Sequence, residues 1–152
     1  MVNGFSVIMP TYNQAYFICR AVMSLIRQSY PQWELIIVND GSTDATDRII
    51  GDLPQDERIK YLHYSDNRGM GYALNKGLDA ARYGYIAYLP SDDFFYADHL
   101  KDLKQAFEAD ERVVLVYSGL NFDDTDAYAP RDNTDSLTMM SGHSLQLVQA
   151  AH

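Results

Sequence analysis

The stretch Trp33-Glu34-Leu35-Ile36-Ile37-Val38-Asn39-Asp40-Gly41-Ser42 decides the fold. Its middle, Leu35–Val38, is apolar at every position rather than at alternate positions. A strand with that pattern is buried on both faces, which is typical of a parallel sheet covered by helices. We therefore predict a strand over residues 33–38, followed by a polar turn over 39–42 at its carboxyl end.

Similar apolar runs alternate with helical patterns on both sides of this stretch. The runs predict strands over 5–9, 59–64, 85–89 and 113–117. Apolar residues at helical spacing predict helices over 15–29, from a Ser42 or Thr43 cap to about 53, over 71–82 with Leu78 facing inward, and around 100–107. Strands that alternate with helices in this way indicate an α/β domain with a mainly parallel sheet flanked by helices.

The character of the chain changes after Asn121. Residues 121–133 are polar and loop-like, and a helical pattern resumes over 144–151. We expect residues 1–120 to form the core and 121–152 to begin a further region. Because the last helical pattern stops at His152 without a terminating signal, we expect the sequence to be part of a longer protein.

Composition narrows the classes of partner. The 152 residues carry a formal net charge of −9, which disfavours binding to nucleic acid or to an anionic membrane. No apolar run approaches the length of a transmembrane helix, and no signal peptide is visible. The single cysteine, Cys19, lies in a helical pattern and is expected to pack in the core. These features favour a cytoplasmic location, and peripheral attachment of a longer protein to a membrane stays open.

Ligands of parallel sheets bind at the carboxyl ends of the strands. That rule brings together residues 10–13, 39–42, 66–69 and 91–93. In such a group Tyr12 can stack on a base, Asp40 can accept a hydrogen bond from a base N–H, and Arg68 can pair with phosphate. Each of the three also has an ordinary interpretation as a packed aromatic, a turn residue or a solvated cation.

The two adjacent carboxylates of Asp92 and Asp93 follow the buried run 85–89. Like charges side by side repel, and a divalent cation would relieve that repulsion. Oxygen ligands of this kind suit Mg²⁺ or Mn²⁺, which commonly bind phosphate as well. From these residues alone, a helix cap with a solvated acidic turn is an equally good interpretation.

Together these segments resemble the family 2 glycosyltransferases, over roughly residues 5–117. Each motif alone is weak, but all of them in this order are highly specific. In chain order they are Ser6-Val7-Ile8-Met9-Pro10-Thr11-Tyr12-Asn13, Ser24-Leu25-Ile26-Arg27-Gln28-Ser29-Tyr30, Glu34-Leu35-Ile36-Ile37-Val38-Asn39-Asp40-Gly41-Ser42-Thr43-Asp44, Asn67-Arg68-Gly69 with Ala73-Leu74-Asn75-Lys76-Gly77, and Leu89-Pro90-Ser91-Asp92-Asp93.

The resemblance implies a Rossmann-like GT-A fold and an inverting glycosyltransferase. It implies a nucleotide-sugar donor, most often a UDP-sugar, bound with Mn²⁺ or Mg²⁺, and a glycan, lipid-linked or other hydroxyl acceptor. The resemblance implies that Asp92 contacts the metal and that Asp93 is the neighbouring carboxylate. These two residues could also exchange roles. The residues implied in binding the nucleotide sugar are Pro10, Thr11, Tyr12, Asn13, Asp40, Gly41, Ser42, Asn67, Arg68, Gly69 and Asp92.

The chain differs from the family pattern at two motif positions, and we expect it to end before the family's catalytic base. Pro90 stands where the first aspartate of the metal motif is usual, and Asn39 stands where an aspartate is frequent. The family's catalytic base is a carboxylate in a later, acceptor-binding part, so we expect it beyond His152 and assign none here. The alternative is a non-catalytic module that binds the nucleotide sugar. A dinucleotide-binding oxidoreductase is disfavoured, since residues 10–14 contain no glycine.

Overall fold

The computed structural model describes residues 4–110, 112–116 and 148–149. Four strands form one parallel sheet in the order β3-β2-β1-β4, which confirms the predicted α/β architecture. In chain order the elements are β1 (Phe5–Thr11), α1 (Ile18–Ile26), β2 (Trp33–Asp40), α2 (Thr46–Gly51), β3 (Ile59–Tyr64), α3 (Met70–Ala80), β4 (Tyr85–Tyr88), α4 (His99–Ala109), β5 (Val113–Leu115) and β6 (Val148–Gln149).

The chain forms two compact units, Met1–Leu100 and Lys101–His152. The parallel sheet belongs to the first unit. In the second, β5 pairs with β6 in antiparallel fashion. The helix predicted over 144–151 is therefore wrong at Val148 and Gln149, because a short apolar run is compatible with either period. The predicted boundary near residue 120 lies outside the described residues.

The strand order reverses at β1. The chain passes from β1 to β2 and β3 on one side, then crosses back to place β4 on the other side. Right-handed crossovers put α1 and α2 on one face of the sheet and α3 on the opposite face. Gly77 faces the sheet where α3 meets β1, and a Cβ atom there would overlap the side chain of Ile8. The glycine therefore allows α3 to pack closely on the strand.

Several boundaries differ from the prediction. β1 continues through Pro10 to Thr11, because its pairing with β4 ends at Ile8 and the missing N–H of Pro10 costs no bond on that side. β2 continues to Asp40, so the turn begins at Gly41. Cys19 is exposed, because it lies on the outer side of α1.

Two helix details were also predicted wrongly. Leu78 is 39 % exposed, since the buried positions of α3 are Ala73 and Gly77. Neither Ser42 nor Thr43 caps α2; instead, Asp44 Oδ1 accepts the Thr46 N–H at 2.9 Å. Within the described residues, no helix combines the length and apolar character that crossing a bilayer requires.

A buried carboxylate joins the strands near the opposite, amino end of the sheet. Glu34 Oε1 accepts hydrogen bonds from Ser6 Oγ at 2.6 Å and from the Arg82 N–H at 2.8 Å. Glu34 Oε2 lies 2.8 Å from Lys60 Nζ. Burial alone would raise the pKa of Glu34, but the bonds from Lys60, Ser6 and Arg82 outweigh it and hold that pKa below its usual value. The carboxylate is therefore charged and paired in the folded chain.

Candidate functional site

Asp40 is the last residue of β2. It is buried at the carboxyl rim, which is the edge of the parallel sheet formed by the carboxyl ends of its strands. Its Oδ2 atom accepts the N–H groups of Arg68 at 3.0 Å and Gly69 at 2.7 Å, which fixes the loop between β3 and α3. Its Oδ1 atom is buried and has no hydrogen-bond partner among the described residues. Because an unpaired buried carboxylate oxygen is costly, this atom is ready to accept a hydrogen bond from a ligand.

Gly41 lets two rim loops touch. Its φ of +75° lies in the left-handed region, and a Cβ atom there would be 2.7 Å from the Asn67 nitrogen. The loop after β2 therefore packs directly on the loop after β3. Asn67 Oδ1 then accepts the Gly69 N–H at 3.0 Å, just before α3 begins. In this way the predicted segments 39–42 and 66–69 come together.

Asn13 ties the loop after β1 to the loop after β2. It adopts a positive φ of 55°, and its Oδ1 accepts the N–H groups of Thr43 at 2.8 Å and Asp44 at 3.3 Å. Its own N–H donates to Ser42 Oγ at 2.9 Å. The side chains of Asn13 and Ser42 are thus used to shape the loops that flank Tyr12, whose side chain is 44 % exposed.

The sheet register divides the predicted residues between two faces. Thr11 pairs with Asn39, and residues paired in a parallel sheet point to the same face. Successive residues alternate, so Asp40 points to the opposite face, where α3 lies. Thr11 Oγ1 is buried without a partner in the described part of the chain. By this alternation, the side chains of Thr11 and Asp40 point to opposite faces of the sheet.

The amide of Asn39 is occupied within the protein. Its Nδ2 donates to Tyr61 Oη at 2.8 Å, and its Oδ1 accepts the Ser42 N–H at 3.0 Å. Burial, together with the Asp47 carboxylate that accepts from its hydroxyl, raises the pKa of Tyr61 to about 12. Asn39, at the position where the family often has aspartate, thus serves to hold the turn.

A cleft of about 270 Å³ opens on the α3 face, between the ends of β1 and β4. This is where the strand order reverses, the usual place for a ligand in an open α/β sheet. The lining is largely apolar, with one carboxylate at its edge. The lining residues are Pro10, Gln14, Met70, Leu74, Tyr88, Pro90, Ser91 and Asp92.

Four of those lining residues were not singled out from the sequence: Gln14, Met70, Leu74 and Tyr88. Met70 and Leu74 are one helical turn apart at the start of α3, and that spacing was the available signal. Tyr88 is paired with Ile8, which places it on the α3 face and half exposed.

Arg68 lies beside Asp40 on this rim and is exposed. Its guanidinium carbon is 4.9 Å from the centroid of the Tyr72 ring, and its Nη1 donates to Tyr72 Oη at 3.3 Å. A planar cation held on an aromatic ring in this way presents its other N–H groups to an anion.

Asp92 and Asp93 fit a metal ion that arrives with its phosphate ligands. Both are exposed, Asp92 borders the cleft, and neither carboxylate has a side-chain partner in the described region. No group of three or more potential ligands occurs among the described residues. Mg²⁺ in nucleotide sites is commonly held by one or two carboxylates, with phosphates and water completing its shell. Asp92 and Asp93 are therefore the residues at the cleft that could hold such an ion.

Comparison with known proteins identifies the family of the chain. The model of glycosyl transferase family 2 matches residues 6–149. An uncharacterized glycosyltransferase of Haemophilus influenzae is 33 % identical over 94 % of this chain. Among solved structures, TarS of S. aureus in complex with UDP has a TM-score of 0.65 and 30 % identity over 70 % of the chain. The mannosyltransferase PcManGT of Pyrobaculum calidifontis, in complex with GDP-Man and Mn²⁺, has a TM-score of 0.63 and 28 % identity over 72 % of the chain.

The chain spans only part of each of these proteins. It covers 59 % of the Haemophilus protein, 32 % of the TarS chain and 33 % of the PcManGT chain. Both solved structures share the fold of this chain, with TM-scores above 0.6. Because the family model covers nearly the whole sequence, the chain belongs to glycosyl transferase family 2 and has the GT-A fold.

Proposed function

We propose that this domain binds a nucleotide-sugar donor at the carboxyl rim, with the base against Asp40 and the diphosphate beside Asp92. The observation that carries the proposal is the buried, unpartnered Oδ1 of Asp40. Its position next to the Arg68 loop supports base binding, and the cleft that ends at Asp92 supports placement of the diphosphate. The nucleotide complexes of the two solved relatives agree with this class of ligand.

The donor is a UDP-sugar. Uracil presents a single N–H on its pairing edge, whereas guanine presents two adjacent donors that a carboxylate binds with both oxygens. Asp40 has one oxygen committed to the N–H groups of Arg68 and Gly69, and only Oδ1 is free. One free acceptor matches one N–H, which favours uracil over guanine.

Mn²⁺ or Mg²⁺ would be held by Asp92 and Asp93 together with the diphosphate oxygens. The metal supplies neutralisation of the charge that builds on the leaving diphosphate. Pro90 removes one carboxylate that the family pattern usually provides, which leaves Asp92 and Asp93 as the carboxylates of this motif.

The protein that contains this domain transfers the sugar to an acceptor hydroxyl with inversion. Residues 1–120 form the donor-binding core in this proposal, and 121–152 begin the acceptor side. A carboxylate outside the described residues acts as base. Donor binding without transfer by the whole protein would instead favour a non-catalytic module.

Thermal unfolding with UDP tests the proposal. With Mn²⁺ present, UDP at 100 times its Kd should raise the Tm by about 5–10 °C, because binding to the folded state alone stabilises it. Asp92→Ala should remove the Mn²⁺-dependent part of this rise and keep the Tm of the free protein. Asp52→Ala, which removes an exposed carboxylate at the end of α2, is the matched control and should behave as the native chain. A response to GDP but not to UDP would overturn the assigned base, and an unchanged response in Asp92→Ala would overturn the metal ligand.

A further inference from the structure

Arg20, on α1, reaches the loop that carries the two aspartates. Its Nη2 atom donates to the backbone carbonyl of Asp92 at 2.8 Å. The guanidinium carbon is 5.1 Å from the ring centroid of Phe94 and 5.9 Å from that of Phe17. The planar cation is therefore held by aromatic rings from two segments while it binds the loop, a geometry that restricts its movement.

Side chains from α1 and from the residue just after its end hold the rest of this loop. Arg20 and Ser24 are four residues apart and project from one side of α1, and Gln28 follows the end of the helix. Ser24 Oγ accepts the Phe95 N–H at 3.0 Å. Gln28 Nε2 donates to the Tyr96 carbonyl at 2.7 Å, and its Oε1 accepts the N–H of Leu100 at 3.0 Å.

Arg20, Ser24 and Gln28 bind different parts of the loop. Ser24 and Gln28 bind residues 95–100, beyond the acidic pair. Only Arg20 binds the backbone of an acidic residue itself, and the Asp93 N–H is fixed on the other side by the Pro90 carbonyl at 3.1 Å. A hydrogen bond to the Asp92 carbonyl fixes the peptide plane that follows its Cα atom. This in turn restricts the direction of the side chain at the cleft.

We propose that Arg20 is a positioning residue for the Asp92 and Asp93 carboxylates. It acts through the backbone, because its bond is to the Asp92 carbonyl oxygen and not to a carboxylate. With the loop held, the pair is pre-arranged to bind a metal that bridges to the diphosphate. The inference rests on the donor site proposed above and adds to it a residue on the opposite side of the loop from the cleft.

Calorimetric titration of UDP with and without Mn²⁺ tests this role in Arg20→Met, which keeps an unbranched apolar side chain but removes the donor. The factor by which Mn²⁺ strengthens UDP binding should fall by about 10- to 100-fold, the usual cost of losing a residue that orients a metal ligand. UDP affinity without Mn²⁺ should stay within about twofold, since Asp40 and Arg68 are untouched. Arg20→Lys should recover part of the loss, because lysine can donate to the carbonyl but lacks the planar stack.

Arg27→Met is the matched control, since Arg27 is an exposed arginine at the end of the same helix and should leave both affinities unchanged. A purely structural role for Arg20 predicts a lower Tm and weaker UDP binding with and without Mn²⁺ alike, which would overturn the proposal. So would a Mn²⁺ effect in Arg20→Met equal to that of the native chain, and the donor site would then stand. If Mn²⁺ does not strengthen UDP binding to the native chain, the proposed metal site and the role of Arg20 fail together.

Discussion

Asp40 shows how one side chain serves both the fold and the ligand. One carboxylate oxygen holds two backbone N–H groups of the next loop, and the other is buried with no partner in the described region. A buried carboxylate oxygen without a partner costs about 1–3 kcal/mol, and a hydrogen bond from a ligand would offset that cost. Because the two oxygens have different roles, a substitution that replaces only one of them can test the contact with the base.

Asp40→Asn should change which base is preferred. Its remaining oxygen must face the N–H groups of Arg68 and Gly69, so the amide NH₂ takes the free position. Uracil offers an N–H at N3, but cytosine offers an acceptor there. We expect the preference for UDP over CDP to fall by about 10- to 100-fold, which corresponds to one charge-assisted hydrogen bond. Titration of both nucleotides measures this ratio.

The ratio also corrects for the loss of a negative charge, because UDP and CDP carry the same diphosphate. Asp52→Asn, at the exposed residue that follows α2, should leave the ratio unchanged. A ratio in Asp40→Asn equal to that of the native chain would show that Asp40 does not contact the base.

Among the secondary-structure elements, the two ends of the parallel sheet have different roles. The carboxyl ends carry loops tied to each other through Asp40, Gly41 and Asn13. Near the amino ends, Glu34 is buried, accepts hydrogen bonds from Ser6 and Arg82 and forms an ion pair with Lys60. The loops at the carboxyl ends leave an acceptor of Asp40 open to a ligand, whereas the carboxylate of Glu34 is enclosed by the protein. Substitutions at the amino end should therefore change stability without changing nucleotide binding.

Glu34→Gln should lower the free energy of unfolding by about 1–3 kcal/mol at pH 7, because Lys60 Nζ at 2.8 Å and Arg82 Nε at 3.3 Å from Glu34 Oε2 lose a charged partner. The folded-state pKa of Glu34 is depressed, so its stabilisation is complete above the unfolded pKa of about 4.3 and is lost as the pH falls through the folded pKa. Denaturant unfolding should therefore show a difference at pH 7 that shrinks in acid below about pH 4.3. Glu57→Gln, at an exposed glutamate, is the matched control and should leave the free energy of unfolding at pH 7 nearly unchanged. A constant difference across this range would contradict the role assigned to Glu34.

The parallel sheet could be predicted from the sequence, but the strand register and the packing of α3 could not. The run 35–38 predicted a covered parallel sheet, and that topology places Asp40, Arg68 and Asp92 on one rim without any knowledge of side-chain contacts. The separation of Thr11 from Asp40 depends on the register of β1 against β2, which no local pattern specifies. The cleft residues Met70 and Leu74 depend on how closely α3 approaches β1, which is set by the contact of Gly77 with Ile8.

The Arg20 contact escaped prediction for a related reason. It joins residues 72 positions apart, through a backbone carbonyl that any residue would supply. The spacing of Arg20, Ser24 and Gln28 was visible, but a polar stripe on a helix is ordinarily a solvated face. Only the packing of the loop after β4 on α1 gives the stripe its partners.

At the scale of the whole molecule, charge limits how a donor can bind. The formal net charge of −9 repels a nucleotide diphosphate, so binding depends on local features of the rim. These are the Arg68 guanidinium, the single free oxygen of Asp40 and the metal that the Asp92–Asp93 pair is proposed to share with the ligand. Both the base and the diphosphate of the donor are therefore expected to bind at the carboxyl rim.

Amide NMR spectra of the chain during titration with UDP test that claim most directly. UDP should shift the amide resonances of Gly41, Arg68, Gly69 and Ser91, and leave those of Glu34 and Lys60 at the other end of the sheet unchanged. A trace of Mn²⁺ should then broaden resonances around Asp92 and Asp93, and should do so far more strongly with UDP than without it, because the phosphates complete the metal's shell. Shifts centred away from the rim, or Mn²⁺ broadening that is absent from the Asp92 loop in the presence of UDP, would contradict the account.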